Sequence, residues 1–340
     1  MGGFPFQTEQ TRFEAVGDDR ATNRIPVEVL TGRAAIVDVF RRNLGYFFVG
    51  RHTGLLPYFF PGVLSLILLL AYWRRGTADR WFLAASIAVG AVALLVYMPF
   101  TYSGGGGPIG NRYFLPYYAL FLFLTPPLRS AWPALLAAAG GGLFPAQLVL
   151  HPCYVSFHPA EHMKTGLYRW LPVELSLLND LPVNVNPPRI KQPLAGDPPI
   201  LAYFLDDNAY NREGEWFWVR GRSRAEVILR APARPRPDGG WDSLKLRGVF
   251  VEVRTGDAPS RVEVRSGGNR AALDLGAQAS AGVRIVPGPA LPYRAVPGQP
   301  TNYVYLLSIS SSGGFVPMFS SGSRDSRFLG AMVRLVPEYE

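Results

Sequence analysis

Hydrophobic positions are unevenly distributed along the chain and are concentrated between residues 54 and 150. Within that region, four apolar stretches reach or approach the roughly 17 to 25 residues that a membrane-spanning helix requires. Each stretch predicts a transmembrane helix, because only a helix satisfies its own backbone hydrogen bonds in hydrocarbon. A helical hairpin buried inside a soluble protein is the alternative interpretation. The predicted spans are 54–73, 81–98, 113–125 and 132–150.

The short loops between these spans predict their orientation. Arg74, Arg75 and Arg80 lie close together in one loop, and Arg129 lies in the other loop on the same side. Cytoplasmic loops are enriched in Lys and Arg, so this side is predicted to face the cytoplasm across a bacterial plasma (inner) membrane. The loop at 101–112 and the whole C-terminal half are then extracytoplasmic.

Residues 1–53 are predicted to form an extracytoplasmic segment that contains a helix lying in the membrane interface. Apolar residues recur near helical spacing between positions 33 and 49, and the charges fall mostly on other faces. The N-terminus lacks the basic and apolar regions of a signal peptide. We therefore expect the chain to be the C-terminal part of a longer polytopic protein. The apolar positions of this helix are Ile36, Val37, Phe40, Leu44, Phe47 and Phe48.

The hydrophobic period changes from that of helices to that of strands after residue 152. Residues 153–200 form a Pro-rich connector, and residues 201–340 contain short alternating segments separated by turn residues. This pattern predicts an antiparallel β-sandwich of the jelly-roll kind. The predicted fold class is an α+β membrane protein, with about four transmembrane helices before an extracytoplasmic sandwich. The predicted strands are 216–221, 225–231, 244–254, 260–266, 271–275, 282–286, 302–310 and 328–336.

The predicted strand at 244–254 keeps one apolar face only if it contains a β-bulge. Leu244 and Leu246 share a face with Val249 and the later valines if Gly248 marks the bulge. The structure can test this local prediction directly.

Composition excludes one class of function. The net charge is +9 and is carried almost wholly by arginine, but there is no run of five basic residues and no nucleic-acid-binding motif. The charge is therefore interpreted as solvated surface, and no nucleic-acid partner is expected. Cys153 is the single cysteine, so the chain has no internal disulfide.

A glycine-rich loop at 103–110 precedes Arg112 on the predicted outer side. Glycines such as Gly107 and Gly110 allow backbone N–H groups to approach an anion closely, and the guanidinium of Arg112 is a forked donor suited to phosphate. The loop is therefore a candidate site for a phosphate- or pyrophosphate-bearing lipid. A flexible turn followed by an arginine that anchors a helix at the interface is an equally good interpretation.

Three histidines, His151, His158 and His162, fall within twelve residues together with Cys153 and Glu161. This composition could bind a transition metal, but the spacing matches no standard site. We favour a cluster that contacts a ligand through hydrogen bonds, and we expect no metal or other cofactor.

The C-terminal half offers two weaker candidates. Asp206 and Asp207 are adjacent and would point to opposite faces of a strand, so they are interpreted as part of a turn or of a calcium-supported loop and not as a catalytic pair. Trp216 and Trp218 share one face, where they could stack on a sugar, although a place in the core is the commoner role.

The segment GNRYFLPYYALFLFL, in which Arg-Tyr leads into an aromatic, Pro-containing helix after an outer loop, resembles the late helices of bacterial glycosyltransferases of the C superfamily. The resemblance covers roughly residues 45–150. It implies a membrane enzyme that uses a polyprenyl-phosphate-linked sugar, with an appended outer sandwich that recognises glycan. It also implies that Arg112 and Tyr113 contact the lipid phosphate.

The chain departs from that family because no outer loop with the catalytic acidic residue precedes the predicted spans. Whether the chain is an enzyme therefore stays open. A membrane-anchored carbohydrate-binding or assembly module without catalysis is the main alternative, and a transporter subunit or a hydrolase is less favoured.

Overall fold

The structure is a computed structural model that describes residues 33–104, 110–144, 146–157, 163, 166–178, 181, 192–194, 196–293 and 300–340. The chain divides into two compact units. The first consists of residues 1–156, 163–181 and 294–299, and the second consists of residues 157–162, 182–293 and 300–340. Helices dominate the described part of the first unit, and strands dominate that of the second.

The described part of the first unit begins with α1, Arg33–Val49, which lies where the interfacial helix was predicted. The residues that α1 buries are Val39, Asn43 and Phe47, one turn apart, whereas Val37 and Leu44 are exposed. The buried stripe is therefore rotated from the predicted apolar face and includes a polar residue. The helices that follow are α2, Leu55–Tyr58; α3, Phe60–Ala71; α4, Ala78–Tyr97; α5, Tyr118–Leu122; α6, Trp132–Leu143; α7, Ala146–Leu150; and α8, Pro152–Phe157.

Among the described helices, α4 is the one that is long and apolar enough to cross a membrane, judged by length and composition. It has 20 residues, which corresponds to about 30 Å. The other three predicted spans are interrupted. The span predicted at 54–73 is interrupted between α2 and α3. Pro61 explains the break, because proline has no backbone N–H to continue the helical hydrogen bonds and its ring clashes with the preceding turn of the helix.

The predicted spans 113–125 and 132–150 are also broken into shorter pieces. The first contains a 3-10 turn, Leu115–Tyr117, followed by the five residues of α5. The second consists of α6 and α7, and α6 has 12 residues. Helices of that length cannot cross a hydrocarbon core of about 30 Å alone. The prediction of four continuous spanning helices is therefore not supported by the described structure.

Aromatic rings and a glycine bring α3, α5 and α6 together. The ring of Phe59 stacks on that of Tyr118, with centroids 4.7 Å apart. A Cβ on Gly140 would lie 2.2 Å from the ring of Phe60, so the close approach of α6 requires glycine at that position. Further 3-10 turns cover Trp73–Arg75, Gly166–Trp170 and Leu175–Leu177.

The described part of the second unit contains thirteen strands and a short helix, α9, Pro317–Ser320. One antiparallel sheet has the order β1-β2-β4-β12-β8-β9, with β11 also paired to β12, and a second has the order β10-β7-β13-β3. The strands are β1, Gln192–Pro193; β2, Leu201–Phe204; β3, Phe217–Arg220; β4, Ser223–Ala231; β5, Ala233–Pro235; β6, Trp241–Ser243; β7, Leu246–Thr255; β8, Ser260–Ser266; β9, Asn269–Leu275; β10, Ser280–Ile285; β11, Leu291–Tyr293; β12, Asn302–Ser311; and β13, Leu329–Tyr339.

The two large sheets share one hydrophobic core. Buried residues of β4 and β12, such as Val227 and Leu307, belong to the same cluster as Val251 of β7 and Val333 of β13. The prediction of antiparallel strands is confirmed, because each of the eight predicted segments overlaps one of the strands. These eight are β3, β4, β7, β8, β9, β10, β12 and β13.

The predicted bulge at Gly248 is confirmed. The register between β7 and β13 shifts where Glu338 pairs with Gly248 and Tyr339 pairs with Leu246. This extra residue turns Leu246 to the same buried face as Val249 and Val251.

Candidate functional site

Buried polar side chains of the first unit gather around one carboxylate. We call this group the polar cluster. It joins the end of α1 and the turn at residues 50–53 to the segment at residues 171–176. Its members are Asn43, Arg51, His52, Thr53, Glu174 and Ser176, and each is at most 5% exposed.

Glu174 is the centre of the polar cluster. Its Oε1 accepts hydrogen bonds from the backbone N–H groups of His52 and Thr53, both at 2.8 Å, and from the Thr53 hydroxyl at 3.2 Å. Its Oε2 lies 2.7 Å from Nδ1 of His52. Both carboxylate oxygens are therefore engaged by one turn of the chain.

The environment of Glu174 favours its charged form. Burial alone would raise its pKa, but the nearby His52 and the hydrogen bonds from His52 and Thr53 outweigh burial, and the pKa lies below the ordinary carboxyl value. An ionised carboxylate accepts hydrogen bonds only, so Nδ1 of His52 carries the proton that it donates. The remaining ring nitrogen, Nε2, makes no hydrogen bond to any described residue.

Backbone contacts hold the turn against the second segment. The N–H of Arg51 donates to the carbonyl of Pro172 at 2.9 Å, and Nε of Arg51 donates to the carbonyl of Leu171 at 3.2 Å. The hydroxyl of Tyr58 donates to the carbonyl of Arg51 at 2.9 Å. The position of His52 is therefore fixed from both neighbouring residues and from its own side chain.

Asn43 extends the polar cluster to the C-terminal side of α4. Its amide nitrogen donates to the carbonyl of Pro99 at 2.6 Å, and its oxygen accepts from the hydroxyl of Ser176. This explains why α1 buries a polar residue, because Asn43 satisfies groups from two other segments.

Gly50 allows the carboxylate to approach the turn. A Cβ at this position would lie 2.2 Å from Oε1 of Glu174 and 2.4 Å from the carbonyl oxygen of Tyr46. Both distances are shorter than any van der Waals contact, so a side chain at residue 50 is incompatible with this arrangement.

The loop that sequence patterns marked as a phosphate site lies beside the same region. Arg112 and Tyr113 are exposed, Gly110 is buried, and Gly107 lies outside the described residues. Gly110 has a φ of 63°, and a Cβ there would be 3.4 Å from Cβ of Tyr58, the residue whose hydroxyl bonds Arg51. The structure thus places the end of this loop against the side chain that supports the polar cluster.

Asn111, between Gly110 and Arg112, is only 2% exposed. Its Oδ1 accepts a hydrogen bond from the N–H of Phe114 at 3.0 Å. Its Nδ2 is buried and has no hydrogen-bond partner among the described residues. The sequence motif drew attention to the arginine, whereas the buried amide next to it was missed.

The predicted histidine cluster is only partly described. His151 is exposed, as is Cys153, and His158 and His162 lie outside the described residues. Within the described part of the chain, no group of three or more His, Cys, Asp or Glu side chains could hold a metal ion. The ligand-contacting role of the three histidines therefore stays a prediction.

Trp216 and Trp218 share one face of the sheet edge formed by β3 and the residue before it. They are half-buried, and the residues that alternate with them, Phe217 and Val219, belong to the core. The guanidinium of Arg254 lies 4.2 Å from the centroid of Trp216. The alternation is confirmed. Neither ring belongs to the hydrophobic core, although a place in the core was the favoured interpretation of the pair, and the contact with a sugar stays a prediction.

Asp206 has a structural role in the second unit. It is buried, and its two oxygens accept hydrogen bonds from the N–H groups of Asn208 at 2.8 Å and Glu226 at 2.7 Å. This agrees with the prediction that the pair belongs to a turn.

Comparison with known proteins identifies no family. No protein-family model and no curated protein matches the chain. Similarities to solved structures include Drosophila melanogaster CENP-C bound to CAL1 (12% identity, 38% of this chain and 80% of that chain, TM-score 0.12). Another is hydroxypropylphosphonic acid epoxidase from S. wedmorenis (15% identity, 59% and 82%, TM-score 0.14). A third is Streptomyces albus HEPD with 2-hydroxyethylphosphonate and Fe(II) (12% identity, 76% and 42%, TM-score 0.11). Scores this low carry no conclusion about this chain.

Proposed function

We propose that the chain is a membrane-anchored, glycosyltransferase-like protein of the bacterial cell envelope that binds a polyprenyl-phosphate-linked sugar. The exposure of the apolar surface of α4 supports the membrane location in this proposal. Within the most apolar 18 residues of α4, only 17% are buried by the rest of the chain. Phe82 is 76% exposed and Val89 is 69% exposed, whereas a helix in a soluble core would be covered. Hydrocarbon is the environment that suits such a surface.

The N-terminal end of α4 has the residues expected at a membrane boundary. Trp73 is exposed, and the guanidinium of Arg74 lies 5.7 Å from the centroid of its ring. The guanidinium of Arg75 lies 5.1 Å from the ring of Tyr72. Aromatic rings and arginines of this kind favour the headgroup region, and the arginines favour its cytoplasmic side.

Shorter apolar helices accompany α4 in this proposal. Trp132 and Leu143, at the two ends of α6, are 75% and 65% exposed, and Leu70 of α3 is 57% exposed. Helices of 12 residues reach only part of the way across a bilayer. We therefore propose that α3 and α6 enter the membrane as broken or re-entrant segments, whose irregular backbone is covered by neighbouring protein.

Arg112 and Tyr113 provide the phosphate-binding groups of the proposed site. Both side chains are exposed, and both follow a buried asparagine that holds the turn in place. A planar guanidinium can form two parallel hydrogen bonds to phosphate oxygens. A phosphate at the outer boundary of the membrane would lie next to this loop, because α4 separates it from the arginines on the cytoplasmic side.

The strand order of the second unit supports an appended jelly-roll domain. When the eight strands that the sequence predicted are numbered in chain order, one sheet reads 1-8-3-6 and the other contains 2-7-4-5, which is the order of two interleaved Greek keys. Domains of this architecture include lectins. We propose that the outer face with Trp216 and Trp218 contacts glycan.

One observation favours binding without catalysis as the second candidate function. The carboxylate of Glu174 accepts hydrogen bonds at both oxygens and is buried. It is therefore poorly placed to remove a proton from an acceptor hydroxyl itself. The chain would then be a carbohydrate-binding or assembly module of the envelope.

Binding of undecaprenyl phosphate to the folded, detergent-solubilised chain tests the proposal. We expect Arg112→Ala to weaken binding by at least about tenfold, since a charge-assisted hydrogen bond contributes roughly 1.5 to 3 kcal/mol. Arg112→Lys keeps the charge but loses the fork, so its loss should be smaller. Arg129→Ala removes an exposed arginine from the predicted cytoplasmic side and should leave the affinity unchanged. Equal affinity of the wild type and Arg112→Ala would overturn the proposed site.

A further inference from the structure

Two neighbouring apolar side chains project from one loop of the second unit. Phe319 is 84% exposed, and no other large hydrophobic side chain among the described residues is as exposed. Met318, beside it, is 42% exposed. We call these two residues the apolar tip. They lie in α9, between β12 and β13, where Pro317 is the buried residue. Exposure of apolar surface to water costs free energy, so the tip is a candidate for contact with an apolar environment.

Hydrogen bonds on both sides of Phe319 hold the apolar tip in an ordered loop. The N–H of Met318 donates to the carbonyl of Asp325 at 2.9 Å, across the loop. The hydroxyl of Ser320 donates to a carboxylate oxygen of Asp257, in the turn between β7 and β8. The backbone therefore presents both apolar side chains in a fixed position, and a binding partner would not have to order the loop first.

The charged side chains near the apolar tip favour an anionic surface. Arg324 belongs to the same loop, Arg222 belongs to the turn between β3 and β4, and both are exposed. Neither arginine has a carboxylate partner among the described residues. The acidic residue of the loop, Asp325, is paired with Arg327 at 2.7 Å. Two unpaired guanidinium groups therefore stand against the one remaining carboxylate, that of Asp257, which leaves an excess of positive charge.

The apolar tip lies at one end of the sandwich. The N–H of Arg222 donates to the carbonyl of Gly313 at 3.1 Å, so the turn between β3 and β4 lies beside the start of the loop. The end of β12 at Ser311 pairs with Val262, near the start of β8. From there β8 runs away from the loop through its seven residues, which span about 23 Å, to the turn at Gly268. Gly268 is therefore a control position in the same unit, far from the tip.

We infer that the apolar tip enters the headgroup region of a bilayer that contains anionic lipids, and that it gives the second unit its own contact with the membrane. This inference rests on the membrane location in the proposed function, because a membrane-anchored chain keeps the second unit close to the same bilayer. An aromatic ring suits the interface between hydrocarbon and water, and the neighbouring arginines attract anionic headgroups.

The size of the apolar tip argues against a protein partner. The residues that follow it are small and polar: Ser320, Ser321, Gly322 and Ser323. A stable interface between two proteins buries about 800 Å² on each partner, which two apolar side chains do not provide. A weak contact is sufficient for a unit that is already held near the membrane, because tethering raises its effective concentration there.

A fluorescent reporter next to the apolar tip tests the inference. With Cys153→Ser as background, Ser321→Cys carries the fluorophore NBD, and the full chain is reconstituted into vesicles of equal parts phosphatidylcholine and phosphatidylglycerol. The measured quantity is the fraction of fluorescence that is lost when the vesicles contain lipids spin-labelled near the headgroup. Spin labels in both leaflets make this fraction independent of the orientation of the chain. Gly268→Cys with the same fluorophore is the matched control, since this position is exposed and has open space around it.

We expect strong quenching at residue 321 and little quenching at residue 268. Phe319→Asp should abolish the quenching at residue 321, because a carboxylate resists insertion and is repelled by anionic headgroups. Phe319→Leu keeps an apolar side chain and should retain the quenching. Replacement of both Arg222 and Arg324 by Gln should reduce it in these vesicles. All of these positions are exposed, so the variants should unfold at the same temperature as the wild type.

Failure of the inference and failure of the proposed function give different results. If the chain floats with the vesicles but residue 321 is quenched no more than residue 268, the inference is overturned and the proposed membrane location stands. Quenching at residue 321 that is unchanged by Phe319→Asp would also overturn the inference, because the apolar tip would not be the group that enters the bilayer. If the chain does not float with the vesicles, the proposed membrane location fails and the inference fails with it.

Discussion

Nδ1 of His52 lies 2.7 Å from Oε2 of Glu174, although the two residues are 122 positions apart. Both side chains are buried, so this pair closes a long loop of chain with a charge-assisted hydrogen bond. Together with the bonds from Arg51 to Leu171 and Pro172, it fastens the residues that precede the first apolar helices to a segment that follows the last one.

Replacement of Glu174 should destabilise the first unit strongly. Glu174→Ala leaves the N–H groups of His52 and Thr53 buried without their acceptor, and each buried donor that loses its partner costs about 1 to 3 kcal/mol. Thermal unfolding of the detergent-solubilised chain measures this loss. Asp79→Asn, at an exposed position in the first turn of α4, should change stability by no more than about 1 kcal/mol. Equal effects of the two substitutions would show that the polar cluster contributes little.

The same carboxylate predicts the direction of a pH effect. The pKa of Glu174 is lower in the folded chain than the ordinary carboxyl value of about 4.3. Its stabilising contribution is therefore fully present above about pH 4.3 and is lost as the pH falls through the lower folded pKa. Glu174→Gln should remove part of the acid sensitivity of the wild type while keeping the side-chain shape. A wild type and Glu174→Gln with identical unfolding temperatures at every pH from 7 to 3 would contradict this assignment.

Two glycines provide a matched test of the close approach at the turn. Gly50→Ala places a Cβ 2.2 Å from Oε1 of Glu174, so either the carboxylate or the turn must move, and we expect a loss of several kcal/mol. Gly45→Ala changes an exposed position of α1 that has no atom within 4 Å, and it should stabilise the helix by about 0.5 to 1 kcal/mol. Both variants add one methyl group and differ in what surrounds it. Stability changes of the same sign and size would therefore contradict the close contact between residue 50 and Glu174.

The sequence was most informative where a local period decides the structure. The eight predicted strands follow from alternation and turn residues, and even the bulge at Gly248 follows from keeping Leu246 and Val251 on one face. The apolar stretches were less informative about where helices begin and end. Hydropathy is hardly changed by a single proline, whereas Pro61 interrupts the backbone hydrogen bonds of the helix.

The candidate site could be predicted only in part. Arg112 and Tyr113 stand in a recognisable motif, but His52 is a single histidine between apolar helices and Glu174 lies in what reads as a connector. Their pairing depends on folding across 122 residues, and no local pattern records such a contact. The available signal was the short polar run Arg51-His52-Thr53 before an apolar helix. This run does not indicate a site unless its buried partner, Glu174, is known.

The second unit should fold when residues 200–340 are expressed alone, because it has its own core and about 140 residues suffice for a packed β domain. Within it, Leu307→Ala should cost about 2 to 5 kcal/mol, since Leu307 is fully buried in β12. Phe319→Ala removes a ring that is 84% exposed and should be nearly neutral. Cooperative chemical denaturation monitored by circular dichroism gives both values. Aggregation of the isolated unit under mild conditions would show that it depends on the rest of the chain.

The membrane topology makes the most consequential prediction, because every outer-side site depends on it. With Cys153→Ser as background, a cysteine at Thr77, in the arginine-rich loop before α4, should resist a membrane-impermeant thiol reagent in intact cells. A cysteine at Gly268, an exposed turn in the second unit with open space around it, should react. Both positions are exposed in the folded chain, so a difference in labelling reports the membrane and not burial within the protein. Permeabilised cells provide the control, in which both cysteines should react equally. The reverse pattern in intact cells would place Arg112 and the second unit in the cytoplasm. The orientation predicted from Arg74, Arg75 and Arg80 would then be wrong.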